Sequence, residues 1–180
     1  MKTDSLGQTL RESLNNPESW VRQAEQQFLV AEAISPGIRN RALTEAGNLL
    51  TVGFLKTTAL LLALTVENAF KAIKASKNEL HVDAKGLVRQ TRGGGSSGHS
   101  LLTLANEVGF PLSPTQENLL EKLTAIGIWA GKYHTPISHR EFESANQTEP
   151  RSLTLPNDIA VVKGILLKAA QTCGVPTVVT

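Results

Sequence analysis

The hydrophobic residues of this chain recur at helical spacing, and the longest such run covers residues 52–77. Its centre, residues 58–66, has six Leu and Ala residues among its nine, and the run contains no Pro. These are strong helix formers, and the apolar residues at 60–64 would cover every side of a helix. The pattern predicts a central helix that is surrounded by other elements of the same fold.

A charged pair follows the centre of this run directly. Glu67 and Lys71 are four residues apart, in the order that favours an ion pair on one face of a helix. Because an unpaired charge in a packed bundle is costly, the first interpretation is a structural pair at the edge of the core. The second interpretation is a polar groove that binds a ligand.

Further helices are predicted on both sides of the central one by capping residues and apolar spacing. Asn16 and Pro17 begin a first helix that runs to Ile34. Residues 38–50 also have helical spacing, and we expect a break or bend at 51–53. The later helices are predicted at residues 99–108, from the capping box at Ser113 to about residue 133, and from Pro156 to about residue 173.

No segment shows sustained two-residue alternation, so the fold class is all-α. We expect an up-and-down bundle of four to five helices. Residues 1–15 are predicted to be a flexible N-terminus, and residues 16–175 a single domain. A flexible Gly/Ser loop is predicted at 86–98.

The composition narrows the class of protein without identifying a partner. The 180 residues are 41% hydrophobic and 19% charged, with a net charge of +2 that permits an anionic partner. The single cysteine, Cys173, excludes an internal disulfide framework, and the polar N-terminus does not resemble a signal peptide. The uninterrupted apolar part of the central run is about ten residues, against roughly 20 for a membrane span. We therefore expect a cytoplasmic protein that does not enter a membrane.

The glycine-rich loop at residues 93–98 matches the spacing G-x-G-x-x-G. A dinucleotide site also needs a preceding strand and a later acidic residue in a βαβ unit, which the pattern here does not provide. A less specific anion site remains open, because Arg89 and Arg92 precede a helix start at His99. The alternative is a solvated loop whose charges bind nothing.

The densest cluster of titratable and phosphate-binding side chains lies at residues 132–140. It contains Lys132, Tyr133, His134, His139 and Arg140. His134 and His139 are five residues apart with Pro136 between them, so they do not share a helical face, and we expect no metal. No cofactor is expected either. If one surface binds an anion, this cluster is the predicted site.

The order of these motifs resembles the HEPN superfamily, the nucleotide-binding domains of higher eukaryotes and prokaryotes. The resemblance covers roughly residues 20–136 and rests on four features. They are a tryptophan-bearing helix at 20–34, the sequence VENAFKA at 66–72, GHSLL at 98–102 and WAGKYHTP at 129–136.

The resemblance implies a helical bundle that often dimerises and that binds nucleotides, cleaves RNA without a metal, or partners a nucleotidyltransferase. Its ribonuclease members carry Arg, four to six residues, then His, and residues 132–140 contain no such pair. Arg92 and His99 have that spacing, but across the Gly/Ser loop. Nuclease activity, with His99 and His134 as candidate catalytic residues, is therefore the weaker alternative.

The resulting hypothesis is a bundle that binds a nucleotide or RNA phosphate, as a homodimer and in a toxin–antitoxin or defence setting. Its predicted ligand-binding residues are Glu67, Lys71, Arg92, His99, Lys132, Tyr133, His134, His139 and Arg140. The alternative is a protein-interaction bundle without chemistry, whose partner is an antitoxin or a nucleotidyltransferase. A small-molecule pocket at Glu67 and Lys71 is a third hypothesis.

Overall fold

The computed structural model describes residues 12–38, 45–82, 88–89, 100–127 and 154–179. Within these ranges the chain is a helical bundle, which confirms the all-α fold class. The elements are α1 (Pro17–Ile34), a 3₁₀ turn (Ser35–Ile38), α2 (Glu45–Ser76), β1 (His81–Val82), β2 (Val88–Arg89), α3 (Leu101–Val108), α4 (Pro114–Ala125) and α5 (Leu155–Cys173).

The central helix, α2, contacts each of the other four helices. It runs for 32 residues without interruption, so the predicted break at 51–53 is wrong. A single glycine, Gly53, costs a helix only about 1 kcal/mol, and no proline removes a backbone hydrogen bond here. The strong helix formers on both sides of Gly53 therefore keep the helix continuous.

Helix α1 packs antiparallel against α2. The Oγ1 atom of Thr65 lies 3.5 Å from the carbonyl oxygen of Ala24, and Lys71 lies over the ring of Trp20. In this register the last residue of α1, Ile34, is level with about residue 57 of α2. The first three turns of α2 therefore extend roughly 18 Å past the end of α1.

A large hydrophobic cluster lies between the helices, with a smaller one beside it at Val21, Ala72, Ala170 and Val175. Phe70 of α2 packs against Phe110, with ring centroids 5.2 Å apart, and Phe28 of α1 is fully buried in the same cluster. The last helix, α5, buries the face that the spacing of its apolar residues predicts. The buried residues on that face are Ile159, Val162, Ile165, Leu166 and Ala169.

Helix ends follow the local signals in the sequence. The Asn16 side chain accepts a hydrogen bond from the Glu18 N–H at 3.0 Å, and Ser113 forms the predicted capping box with Gln116. Gly174 ends α5 in the left-handed conformation. Helix α3 is capped by the Ser100 side chain, which accepts from the Thr103 N–H.

Both ends of the described chain pack against the bundle. Leu14 is buried, and Asn15 exchanges hydrogen bonds with the backbone of Leu80. Near the other end, the Val178 N–H donates to the buried Glu25 carboxylate at 2.6 Å. Part of the segment predicted as a Gly/Ser loop forms β2, which pairs antiparallel with β1.

We expect Phe28→Ala to lower the free energy of unfolding by about 3–5 kcal/mol, because it leaves a cavity where α1 meets α2. Urea unfolding followed by circular dichroism measures the loss. Val30→Ala is the matched control on the same helix, at a half-exposed site, and should change stability by less than about 0.5 kcal/mol. Equal effects of the two substitutions would contradict the described packing of α1.

Candidate functional site

Glu67 and Lys71 form an ion pair on α2. The Nζ atom of Lys71 is 2.7 Å from Oε1 of Glu67, and the two side chains are only 12% and 10% exposed. The same Nζ lies 5.1 Å from the centroid of the Trp20 ring on α1, at a distance typical of a cation–π interaction. Each charge therefore has a compensating group in the fold.

A second polar contact joins the same two helices beside this pair. Asn68 Nδ2 donates to Gln27 Oε1 at 2.8 Å. Together with the Glu67–Lys71 pair and the Trp20 ring, this contact forms a closed polar layer between α1 and α2. The arrangement favours the structural interpretation of the pair over a binding groove.

The remaining predicted binding residues lie outside the described part of the chain. They are Arg92, His99, Lys132, Tyr133, His134, His139 and Arg140. The proposed proximity of His99 and His134 therefore stays a prediction of the resemblance.

An exposed apolar surface lies at the start of α2, mostly before the run at 52–77 that the sequence predicted to be surrounded. Leu49 is 71% exposed, Leu50 47% and Val52 49%. Gly53 lies one turn after Leu49 and Leu50, and a Cβ added to it would meet no atom within 4 Å. We call Leu49, Leu50, Val52 and Gly53 the apolar strip.

The strip changes the interpretation of the central helix. The mean hydropathy of an 18-residue window in α2 reaches 1.9, and only 33% of that window is buried. By length and composition alone, this helix could cross a membrane. The sequence showed that the helix is apolar, but the register with α1 decides which part of it is covered.

A second feature, absent from the sequence-based hypotheses, is a cleft between α4 and the first turn of α5. It has a volume of about 400 Å³ and is lined by Pro114, Thr115, Asn118, Leu119, Lys122, Thr154 and Asp158. We call it the polar cleft. Burial raises the pKa of the Asp158 carboxyl, while bonds from Thr154 and the charge of Lys122 act in the opposite direction.

Comparison with known proteins adds no assignment to these features. No protein-family model, curated protein or solved structure matches the chain. The HEPN resemblance consequently remains a prediction from the motifs.

Replacing Lys71 with Met should lower the free energy of unfolding by about 1–3 kcal/mol, because it leaves the Glu67 carboxylate largely buried without its ammonium partner. Chemical denaturation at neutral pH measures the change. Lys56→Met, at an exposed position of the same helix, is the matched control and should be nearly neutral. A neutral Lys71→Met variant would argue against a structural pair.

Proposed function

We propose that the chain is a protein-interaction bundle that forms a homodimer through its apolar strip. The observation that supports this proposal is the exposure of Leu49, Leu50 and Val52 within about one turn of the same helix. Scattered exposed apolar residues are normal on protein surfaces, whereas a contiguous group is typical of a surface that binds a partner.

The geometry of the strip suits the packing of a second helix. Leu49 and Leu50 lie four and three residues before Gly53, so the three positions share one face of α2. With no side chain at Gly53 and open space above it, a partner helix can approach the backbone closely. The leucines would then pack on either side of the crossing point.

A second copy of the chain is the simplest partner for this surface. Two identical strips related by a two-fold axis bring each copy's leucines against the other copy's Gly53 region, which makes a closed, self-complementary interface. Burying a leucine side chain fully contributes about 1.5–3 kcal/mol. Four leucines from two copies therefore supply a substantial part of the association energy.

We expect Leu49→Lys/Leu50→Lys to convert the dimer into a folded monomer, because four lysines cannot be buried at the interface. Sedimentation equilibrium gives the mass, and circular dichroism verifies the helix content. Leu29→Lys/Val30→Lys is the matched control, since this adjacent pair on α1 is 42% and 50% exposed, and it should leave the dimer intact.

Two outcomes would overturn the dimer proposal. One is a monomeric wild-type protein at all concentrations tested. The other is flotation of the wild-type protein with phospholipid vesicles that is lost in Leu49→Lys/Leu50→Lys, which would assign the strip to a membrane surface. If the protein is a monomer alone and forms a larger complex only when an antitoxin or a nucleotidyltransferase is added, the partner that binds the strip is that protein and not a second copy of the chain.

We further propose, from the sequence cluster at residues 132–140, that the bundle binds a nucleotide or RNA phosphate. Lys132 and Arg140 are the cationic residues of that cluster, and Tyr133 and His134 add hydrogen-bonding groups. Such side chains position a phosphate by charge and hydrogen bonds, so binding should weaken as salt rises.

We expect the protein to bind a labelled RNA oligonucleotide in the presence of a chelator. The affinity should fall several-fold in Lys132→Ala/Arg140→Ala because phosphate contacts are lost.

The same RNA tests for cleavage. Cleavage that is lost in folded His99→Ala/His134→Ala but kept in His81→Ala would establish a metal-independent nuclease. RNA that is neither bound nor cut by the wild-type protein would contradict the second proposal and leave the dimer proposal untouched.

A further inference from the structure

We propose that residues 174–179, which follow α5, form a strap that opens and closes while the bundle stays folded, with the Glu25 carboxylate as its latch. The strap packs with α1 and with the second half of α2 at Ala72. The apolar strip lies about 20 residues, or roughly 30 Å, earlier on α2. The strap is therefore separate from the proposed dimer interface.

The Glu25 side chain is almost fully buried, although its neighbours on the same face of α1 are not. Arg22 and Leu29, each about one turn away on that face, are both partly exposed. The burial of Glu25 is therefore not a property of the whole face. The strap accounts for it, because the Val178 N–H lies 2.6 Å from Glu25 Oε1.

Two described donors satisfy this carboxylate. Arg22 Nη1 donates to Oε2 at 2.8 Å, and the Val178 N–H of the strap donates to Oε1. A buried charge that lacks donors is costly, so Glu25 favours the closed strap. When the strap leaves, water replaces the lost N–H at Oε1. Because one hydrogen bond is exchanged for another, the net gain on closing is modest and the latch is reversible.

Two valines anchor the strap. Gly174 turns the chain at the end of α5, and the Val175 N–H donates back to the helix at 3.0 Å. Val175 belongs to the smaller hydrophobic cluster, and Val179 is buried in the large one. After Val175, the hydrogen bond that joins the strap to the described helices is the one from Val178 to Glu25.

These few contacts hold a segment that gains much conformational freedom when it leaves. Ordering each backbone residue costs entropy, and only two side chains of the strap are buried in return. Segments with few buried contacts open at a lower free energy than the core, by local unfolding. Opening uncovers the other members of the smaller cluster, Val21, Ala72 and Ala170, and leaves the centre of the large cluster in place.

Amide hydrogen exchange of the ¹⁵N-labelled full chain tests the strap. We expect the Val175 and Val178 amides to exchange at least tenfold faster than those of Val66 and Ala69 in the buried centre of α2. They should also exchange at least tenfold slower than amides of an unstructured peptide. Low concentrations of urea should change the strap rates little, because local opening exposes little surface.

Substitutions test the latch. Glu25→Ala should raise the Val178 exchange rate at least tenfold relative to the α2 rates, because the acceptor is lost. Glu25→Gln should have a smaller effect, since an amide oxygen still accepts. Glu32→Ala, which removes an exposed carboxylate from the same helix, is the matched control and should leave every rate unchanged. Val179→Ala weakens an anchor without altering the carboxylate and should also raise the Val178 rate.

Three results would overturn the proposal. Exchange of Val175 and Val178 at the rate of the α2 centre would mean that the strap opens only when the whole bundle unfolds. Exchange at the rate of an unstructured peptide would mean that the strap is not closed. Unchanged Val178 rates in both Glu25→Ala and Val179→Ala would mean that neither contact holds it. None of these rates depends on RNA or on the apolar strip at the other end of α2.

Discussion

The burial of the second half of α2 is the constraint on which the rest of the bundle depends. Four helices pack on this one helix, and its residues Leu62, Val66, Ala69, Phe70 and Ile73 lie at the centre of the core. A helix that is apolar on most sides cannot be stable alone in water, so its neighbours are needed to cover it. The positions of α1, α3, α4 and α5 follow from that requirement.

Polar side chains within this buried region are satisfied by specific partners. Thr65 donates to the carbonyl of Leu61 in the preceding turn at 2.8 Å, and Asn68 bonds to Gln27. Lys74, which is almost fully buried, pairs with Glu107 of α3. Since an unpaired buried charge would cost several kcal/mol, these contacts fix how α2 meets α1 and α3.

Local signals in the sequence predicted the helices well because caps and periodicity act within one or two turns. Asn16, Ser113 and Gly174 mark helix ends through groups only a few residues away, and the structure has them as expected. The break predicted at 51–53 was wrong because a glycine weakens a helix without preventing it.

The two candidate surfaces could not be predicted in the same way, because each depends on how distant segments meet. Sequence periodicity identifies Leu49 and Leu50 as apolar, but only the antiparallel register shows that α1 ends before it reaches them. Likewise, the sequence shows Asp158 only as a carboxylate in the first turn of a predicted helix, where its negative charge is favourably placed near the helix N-terminus. Its unpaired oxygen becomes evident only when α4 and α5 are in place.

The apolar strip and the buried core are consequences of one sequence property, the continuous hydrophobicity of α2. The buried positions among residues 58–75 pack against the other four helices, whereas Leu49, Leu50 and Val52 in the turns before them are exposed. Exposed leucines contribute little to the folding of a single chain, because their transfer from water is incomplete. In the proposed dimer their contribution would become large on association, because the transfer from water would then be complete.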